Sequence, residues 1–268
     1  MTERIYLLDV SSVQRGIDWD RVVEHDPGAA FGRSPGRIRG VVAKATEGTR
    51  GTDSRTRGHI EGARMAGLSA GVYHFGRVSG DPEEQADHVL AHAQELGDDP
   101  GELPVWLDLE EQGAAHRLGG PDAYVRWILR WGRRIQERGY RRGAYSAPVY
   151  GSEWRGASME LLAELGDWPF WVAQYSRVGA WCPSDTDRPA DVWPWREPAL
   201  WQFSGGGPGL PGNTCPGVVG FVDLDLVLGG LPMFRSILGL GAADPEPDMG
   251  GPVHGHYLGD TGSDEPVT

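Results

Sequence analysis

Lysine is almost absent from this chain: of 25 basic residues, Lys44 is the only lysine. So strong an arginine preference is a compositional bias, and the one surviving lysine marks a position that wants an ammonium group. Basic charge is short overall, with a formal net charge of -13. That balance excludes nucleic acid as a partner, because phosphate binding needs a basic footprint. Cysteine is limited to Cys182 and Cys215, which excludes a disulfide-built scaffold and leaves free thiols as the expectation. No apolar run approaches the roughly 18 residues of a membrane span. Met1-Thr2-Glu3-Arg4 leads straight into a strand-like run, so no secretory leader is expected, and synthesis is expected in the cytoplasm.

What is present is a long chain with 39% hydrophobic residues among its 268, enough for one barrel-sized domain with its own core. Its organising stretch is Leu103-Pro104-Val105-Trp106-Leu107-Asp108-Leu109-Glu110. The run predicts a buried strand over residues 103–110 that ends in two carboxylates. Side chains alternate along a strand, so Asp108 and Glu110 point the same way. Neighbouring carboxylates raise each other's pKa, and a carboxylic acid that keeps its proton near neutral pH can act as a proton donor.

Apolar runs predict further strands at residues 5–10, 38–45, 69–75, 140–146, 168–175, 199–204 and 218–224. Helices are predicted between them. One spans residues 17–23 with Asp18 as cap, and a second ends at Ala66 before Gly67. A third opens on Asp81 and Pro82, with Glu84 completing a capping box. A fourth covers residues 122–138, with Tyr124, Trp127, Ile128, Trp131 and Ile135 as its core stripe, and a short one covers residues 158–165. Residues 177–197 are rich in Pro, Asp, Arg and Trp and show no helical period. Residues 242–268 are acidic and rich in Pro and Gly, and are expected to form a disordered tail behind a catalytic domain of residues 1–241. Residues 241–268 carry -6 of the net charge.

Eight strands with helices after the first five predict an α/β fold, an irregular TIM-like (β/α) barrel. Such barrels gather their reactive groups at the C-terminal ends of strands. Those ends here carry Asp9, Lys44, Glu47, His74, Asp108, Glu110, Tyr145, Gln174, Tyr175, Gln202 and Asp223. Taken singly, Asp9 could cap a turn and His74 could be a satisfied core histidine. Their recurrence at one edge predicts a site.

The motifs resemble those of glycoside hydrolase family 25, the Chalaropsis-type lysozymes. The matching pieces are Asp9-Val10-Ser11 with Gln14 and Ile17-Asp18-Trp19, and Ala43-Lys44-Ala45-Thr46-Glu47-Gly48 with Asp53. Ala66-Gly67-Leu68, Gly71-Val72-Tyr73-His74-Phe75, Leu107-Asp108-Leu109-Glu110, Trp201-Gln202 and Val222-Asp223 follow in the family's order across residues 5–228. Arg15 stands where the family has Gly, and Asp225 where its late Val-Asp-x-Asn pattern has Asn.

The resemblance implies an N-acetylmuramidase that cuts the β-1,4 bond between N-acetylmuramic acid and N-acetylglucosamine in peptidoglycan, with no cofactor and no metal. It implies Glu110 as general acid, and Asp108 beside it to raise its pKa and orient the sugar's 2-acetamido group. Asp9 and Asp223 would stabilise positive charge. Tyr73, Trp201 and Tyr145 would stack on sugars, while Lys44, Glu47, His74, Gln174, Tyr175 and Gln202 complete the substrate-binding set. Peptidoglycan is then the partner of a monomeric enzyme acting on the cell wall, released through a holin if it is a phage endolysin. Two rivals stand beside this reading. A chitinase-like barrel would normally carry an Asp-Gly upstream of the acidic pair, which residues 103–107 lack. A non-catalytic sugar-binding or phage structural barrel would have no use for Glu110.

Overall fold

The computed structural model describes residues 3–97, 102–175, 180–205 and 213–240. The tail at 242–268 and the domain boundary at 241 lie outside the described residues, as does much of the 205–217 loop. The strands are β1 (Arg4–Val10), β2 (Gly36–Glu47), β3 (Gly51–Thr52), β4 (Ser69–Phe75), β5 (Val105–Asp108), β6 (Arg142–Ser146), β7 (Phe170–Ala173), β8 (Leu200–Ser204) and β9 (Asp223–Val227). They form one sheet in the order β1-β9-β8-β7-β6-β5-β4-β2-β3, and a β1–β2 pairing closes it into a barrel. β3 is a two-residue antiparallel addition to the end of β2, so the closed barrel has eight strands.

The helices are α1 (Trp19–Val23), α2 (Pro27–Ala30), α3 (Thr56–Met65), α4 (Pro82–Glu95), α5 (Ala114–Leu118), α6 (Pro121–Glu137), α7 (Met159–Gly166) and α8 (Gly230–Ile237). The first seven follow five successive barrel strands, and no helix separates β7 from β8 among the described residues. Local chemistry accounts for the boundaries. The Asp18 carboxylate accepts the Arg21 amide ahead of α1, and Asp81 accepts the amides of Glu83 and Glu84 ahead of α4, where Pro82 needs no donor. Gly67 ends α3 region at φ +77°, a left-handed turn open to glycine.

Alternation along the strands sorts the core into two layers. Ile5, Leu7, Val42, Trp106, Trp171, Leu200 and Val227 fill the barrel interior. Tyr6, Leu8, Val41, Ala43, Leu107, Val172, Phe203 and Leu224 face outward, many of them against the helices, where Tyr124, Trp127, Ile128, Trp131 and Ile135 of α6 are buried. Inside, the Trp106 ring lies over Gly143, and a methyl group at that glycine would overlap it. Trp106 is fully buried, so its ring or the Gly143 backbone must shift to make room. Gly143→Ala is therefore expected to destabilise the fold by about 1–3 kcal/mol. A thermal melt should show this as a fall of roughly 2–4 °C per kcal/mol.

Several elements differ from the sequence expectation, which also lacks the short helices α2 and α5 and the strand β3. The acidic strand is shorter, and Glu110 lies just beyond its end. The last strand is β9 and not residues 218–224. Val219 and Phe221 in that stretch are 81% and 52% exposed, so their apolar run is a surface turn. β9 is also antiparallel to both β1 and β8. α8 is not foreseen by the periodicity, because two glycines and Pro232 interrupt its start.

Candidate active site

The reversed direction of β9 builds the site. The parallel strands bring their C-terminal ends to one mouth of the barrel, and an antiparallel neighbour brings its N-terminal end to that same mouth. Asp223 opens β9 directly opposite Asp9 near the end of β1. On the other side of the barrel, Phe75, Asp108 and Tyr145 lie level on β4, β5 and β6, with Trp171 of β7 opposite Tyr145. Asp223 and Asp225 share one face of β9, so both point inward. Asp223 sits at the rim, and Asp225 lies deeper, opposite Leu7 and Gln202.

A hydrogen-bonded relay joins the two sides. Tyr145 and Tyr175 both donate their hydroxyls to Gln202 Oε1, at 2.9 and 2.5 Å. That fixes the amide, so Gln202 Nε2 donates to Asp9 Oδ2 at 2.8 Å. Tyr145 packs on Trp171 with ring centroids 4.5 Å apart, and Tyr73 meets the same indole at 6.4 Å. A buried aromatic floor thus carries a rim of carboxyl groups.

Burial in this floor shapes the acidities. Glu110 is pushed up to about 7, with burial the largest cause and Asp223 adding to it, while a hydrogen bond with Tyr145 pulls the other way. Asp108 is 5% exposed, and its Oδ1 is buried with no partner among the described residues. Burial and then the charge of Glu110 raise its pKa well above the ordinary range, against the pull of Lys44. Asp9 is raised likewise, first by burial and then by Asp223, Asp225, Asp108 and Glu110. So many carboxyls cannot all be ionised together, and the mouth holds protons at neutral pH.

Lys44 lies at the edge of this group. Its Nζ donates to Glu47 at 2.9 Å and stands 5.3 Å from the Phe75 ring centre. Arg77, which the sequence patterns do not single out, covers the same ring at 4.3 Å and also binds Glu47. Burial disfavours the Glu47 charge, but the bonds from Lys44 and Arg77 outweigh it and hold the pKa below the ordinary value.

Three predicted residues are not brought to the mouth, and the alternation of side chains is the reason in each case. His74 follows the inward Tyr73 and therefore faces the helices. Its ring bonds Thr46 Oγ1 at 2.7 Å and Gln85 Oε1 at 3.0 Å and stacks on Trp131. Burial lowers its pKa to about 4, so it is a neutral packing residue. Trp201 precedes the inward Gln202. It is 3% exposed, packs on Trp181 at 5.5 Å and donates its indole N–H to the Gln174 carbonyl. The Gln174 side chain accepts the Ala190 amide and secures the 188–190 loop. Cys182 and Cys215 are free and buried. Among the described residues, no group of three or more His, Cys, Asp or Glu is arranged to hold a metal ion. No helix among them is long and apolar enough to cross a membrane.

A closed eight-stranded α/β barrel with partly protonated carboxyls at its mouth defines a hydrolase of the glycosidase type. The profile of the family described as Glycosyl hydrolases family 25 matches residues 8–209, and the chain belongs to that family. The match ends before β9. An autolytic lysozyme of Clostridium acetobutylicum is 35% identical over 83 residues, which is 31% of this chain and 22% of that protein. The match thus spans about a fifth of that curated relative's length. The fold is similar to that of a bacterial lysozyme from Streptomyces coelicolor, with a TM-score of 0.68 and 22% identity over 90% of this chain and 100% of that one. It is also similar to the catalytic domain of an endolysin from a bacteriophage of Listeria monocytogenes, with a TM-score of 0.59 and 18% identity over 89% and 99% of the two chains.

Proposed function

We propose that this family 25 barrel is a lysozyme, hydrolysing the β-1,4 bond between N-acetylmuramic acid and N-acetylglucosamine in peptidoglycan. The observation that carries the reading is Glu110. It is a half-buried carboxyl at the barrel mouth whose pKa of about 7 lets it carry a transferable proton at working pH. Glu110 protonates the leaving glycosidic oxygen and later takes a proton from the attacking water. Asp108, level with Phe75 and Tyr145 at the mouth, is assigned to accept the N–H of the 2-acetamido group. Asp9 and Asp223, facing each other across β1 and β9, supply negative charge near the developing oxocarbenium centre. Tyr73, Tyr145 and Tyr175 offer ring faces or hydroxyls to the sugar, with Gln202 setting their positions, and Lys44 and Glu47 border the site.

Clearing of purified cell walls, followed by analysis of the new reducing ends, tests the proposal. Muramic acid ends support it. Absence of clearing, or glucosamine ends, would overturn it. The natural setting proposed is the cell wall, reached by holin-dependent release if the gene is a phage's, and the working form is a monomer.

The catalytic unit proposed is residues 1–241, with 242–268 dispensable. Deleting 242–268 is expected to leave melting temperature and specific activity nearly unchanged. A fall of many degrees would place part of the tail within the folded domain.

A further inference from the structure

Asp225 has no part in the reaction above, yet it is buried among the residues that do. It is 0% exposed. Its Oδ1 accepts the Trp171 indole N–H at 2.7 Å, and its Oδ2 is buried with no partner among the described residues. Trp171 in turn supports Tyr145, Trp106 and Tyr73, with ring centroids 4.5, 5.7 and 6.4 Å away. Asp225 therefore holds the indole on which the floor of the site rests. The titratable groups that act on it are Asp223 from its own strand and Asp9 from β1, both carboxyls. β7 and β8 present Trp171 and Gln202 to it, and neither carries charge.

We propose that Asp225 is a positioning residue that serves turnover only as the neutral acid, and that its ionisation helps set the alkaline limit of the reaction. The activity part of this proposal rests on the lysozyme reading. As a neutral acid, Asp225 keeps Trp171 in place and adds no charge beneath Asp9 and Asp223. As an anion, it has no donor for Oδ2 among the described residues and sits beside two other carboxyls. Movement of the carboxyl would carry with it the indole bound to it. Burial above all, with Asp223 adding to it, already holds its pKa well above the ordinary carboxylate range, against the Trp171 bond.

The test is Asp225→Asn in the full chain. Asparagine keeps the shape and the carbonyl acceptor for Trp171 but cannot ionise. Wall lysis by the variant should stay within about twofold of wild type near pH 5. Its alkaline limb should be less steep, because Glu110 alone then ionises where Glu110 and Asp225 both do in wild type, giving roughly tenfold more activity about one pH unit above the midpoint. A second measurement needs no catalysis. A carboxyl with a raised folded-state pKa costs the wild type stability as pH rises above the unfolded value of about 3.9, up to the folded one. The melting temperature of the variant should therefore exceed that of wild type at pH 8 by several degrees more than at pH 4. A wild-type alkaline limb, an equal melting difference at both pH values, or failure of this uncharged near-isostere to fold would each overturn the proposal. If wild type clears no wall at any pH, the lysozyme reading falls, and the melting comparison still decides the state of Asp225.

Discussion

Glu110→Gln is expected to lower wall lysis by at least about 10²- to 10⁴-fold, the usual worth of general acid–base help, while binding to walls persists. Glutamine fills the same space and keeps a hydrogen-bonding group beside Tyr145, so the loss isolates the missing proton. The sign of the pH dependence follows from the raised pKa. The acid form is needed to protonate the leaving group, so wild-type activity should decline as pH rises through about 7. Stability should move the other way. A carboxyl raised from 4.5 to about 7 destabilises the fold progressively as pH climbs through that window, and the amide removes that cost. At pH 8 the variant should melt at or above the wild-type temperature, as expected where activity is held at the expense of stability. Near-normal lysis by Glu110→Gln would remove Glu110 from its role.

Asp108→Asn carries the next largest effect, a fall of roughly 10²- to 10³-fold, comparable to losing one preorganised electrostatic contact in an active site. Asp108 and Glu110 leave the chain two residues apart on one side of the barrel, which is poor geometry for placing a water opposite the acid. Inverting enzymes need about 6.5–9.5 Å between carboxyls on opposite faces of the sugar. Net retention through the substrate's own acetamide is the expected course, with Asp108 orienting that group. Proton NMR of the first-formed reducing end from a defined wall oligomer reads this directly. Initial β-anomer supports it, and initial α-anomer would move the second catalytic role to Asp9 or Asp223.

Much of the barrel is legible in the chain, because strong local signals mark its elements. The Asp81-Pro82 start of α4 and the apolar stripe of α6 need no tertiary context. The acidic pair at 108 and 110 is legible for the same reason. The misreadings have a common physical origin. An apolar run says that a segment is extended or buried, but does not say which of two neighbouring side chains faces inward. His74 and Trp201 sit beside Tyr73 and Gln202 in the sequence, and each is turned away from the mouth by one residue of alternation. Val218-Val219-Gly220-Phe221 has strand-like composition, but its exposed apolar side chains lie in turns. The direction of β9 is set by pairing with β1 and β8, and no residue within 223–227 encodes it. Arg77 gave no signal beyond its charge, since its role depends on Phe75 and Glu47 lying beside it in space.

Asp9 belongs to the first strand of the barrel and Asp223 to the last, and they meet only when β9 slots between β1 and β8. The chemistry therefore has a temporal threshold. A ribosome-bound chain can carry Asp108 and Glu110 long before the pair across from them exists, and the barrel has an open seam until residues 223–227 are made. Unfinished or C-terminally clipped chains lacking that strand also lack the Asp9–Asp223 pairing. The last strand to emerge acts as the latch that arms the enzyme.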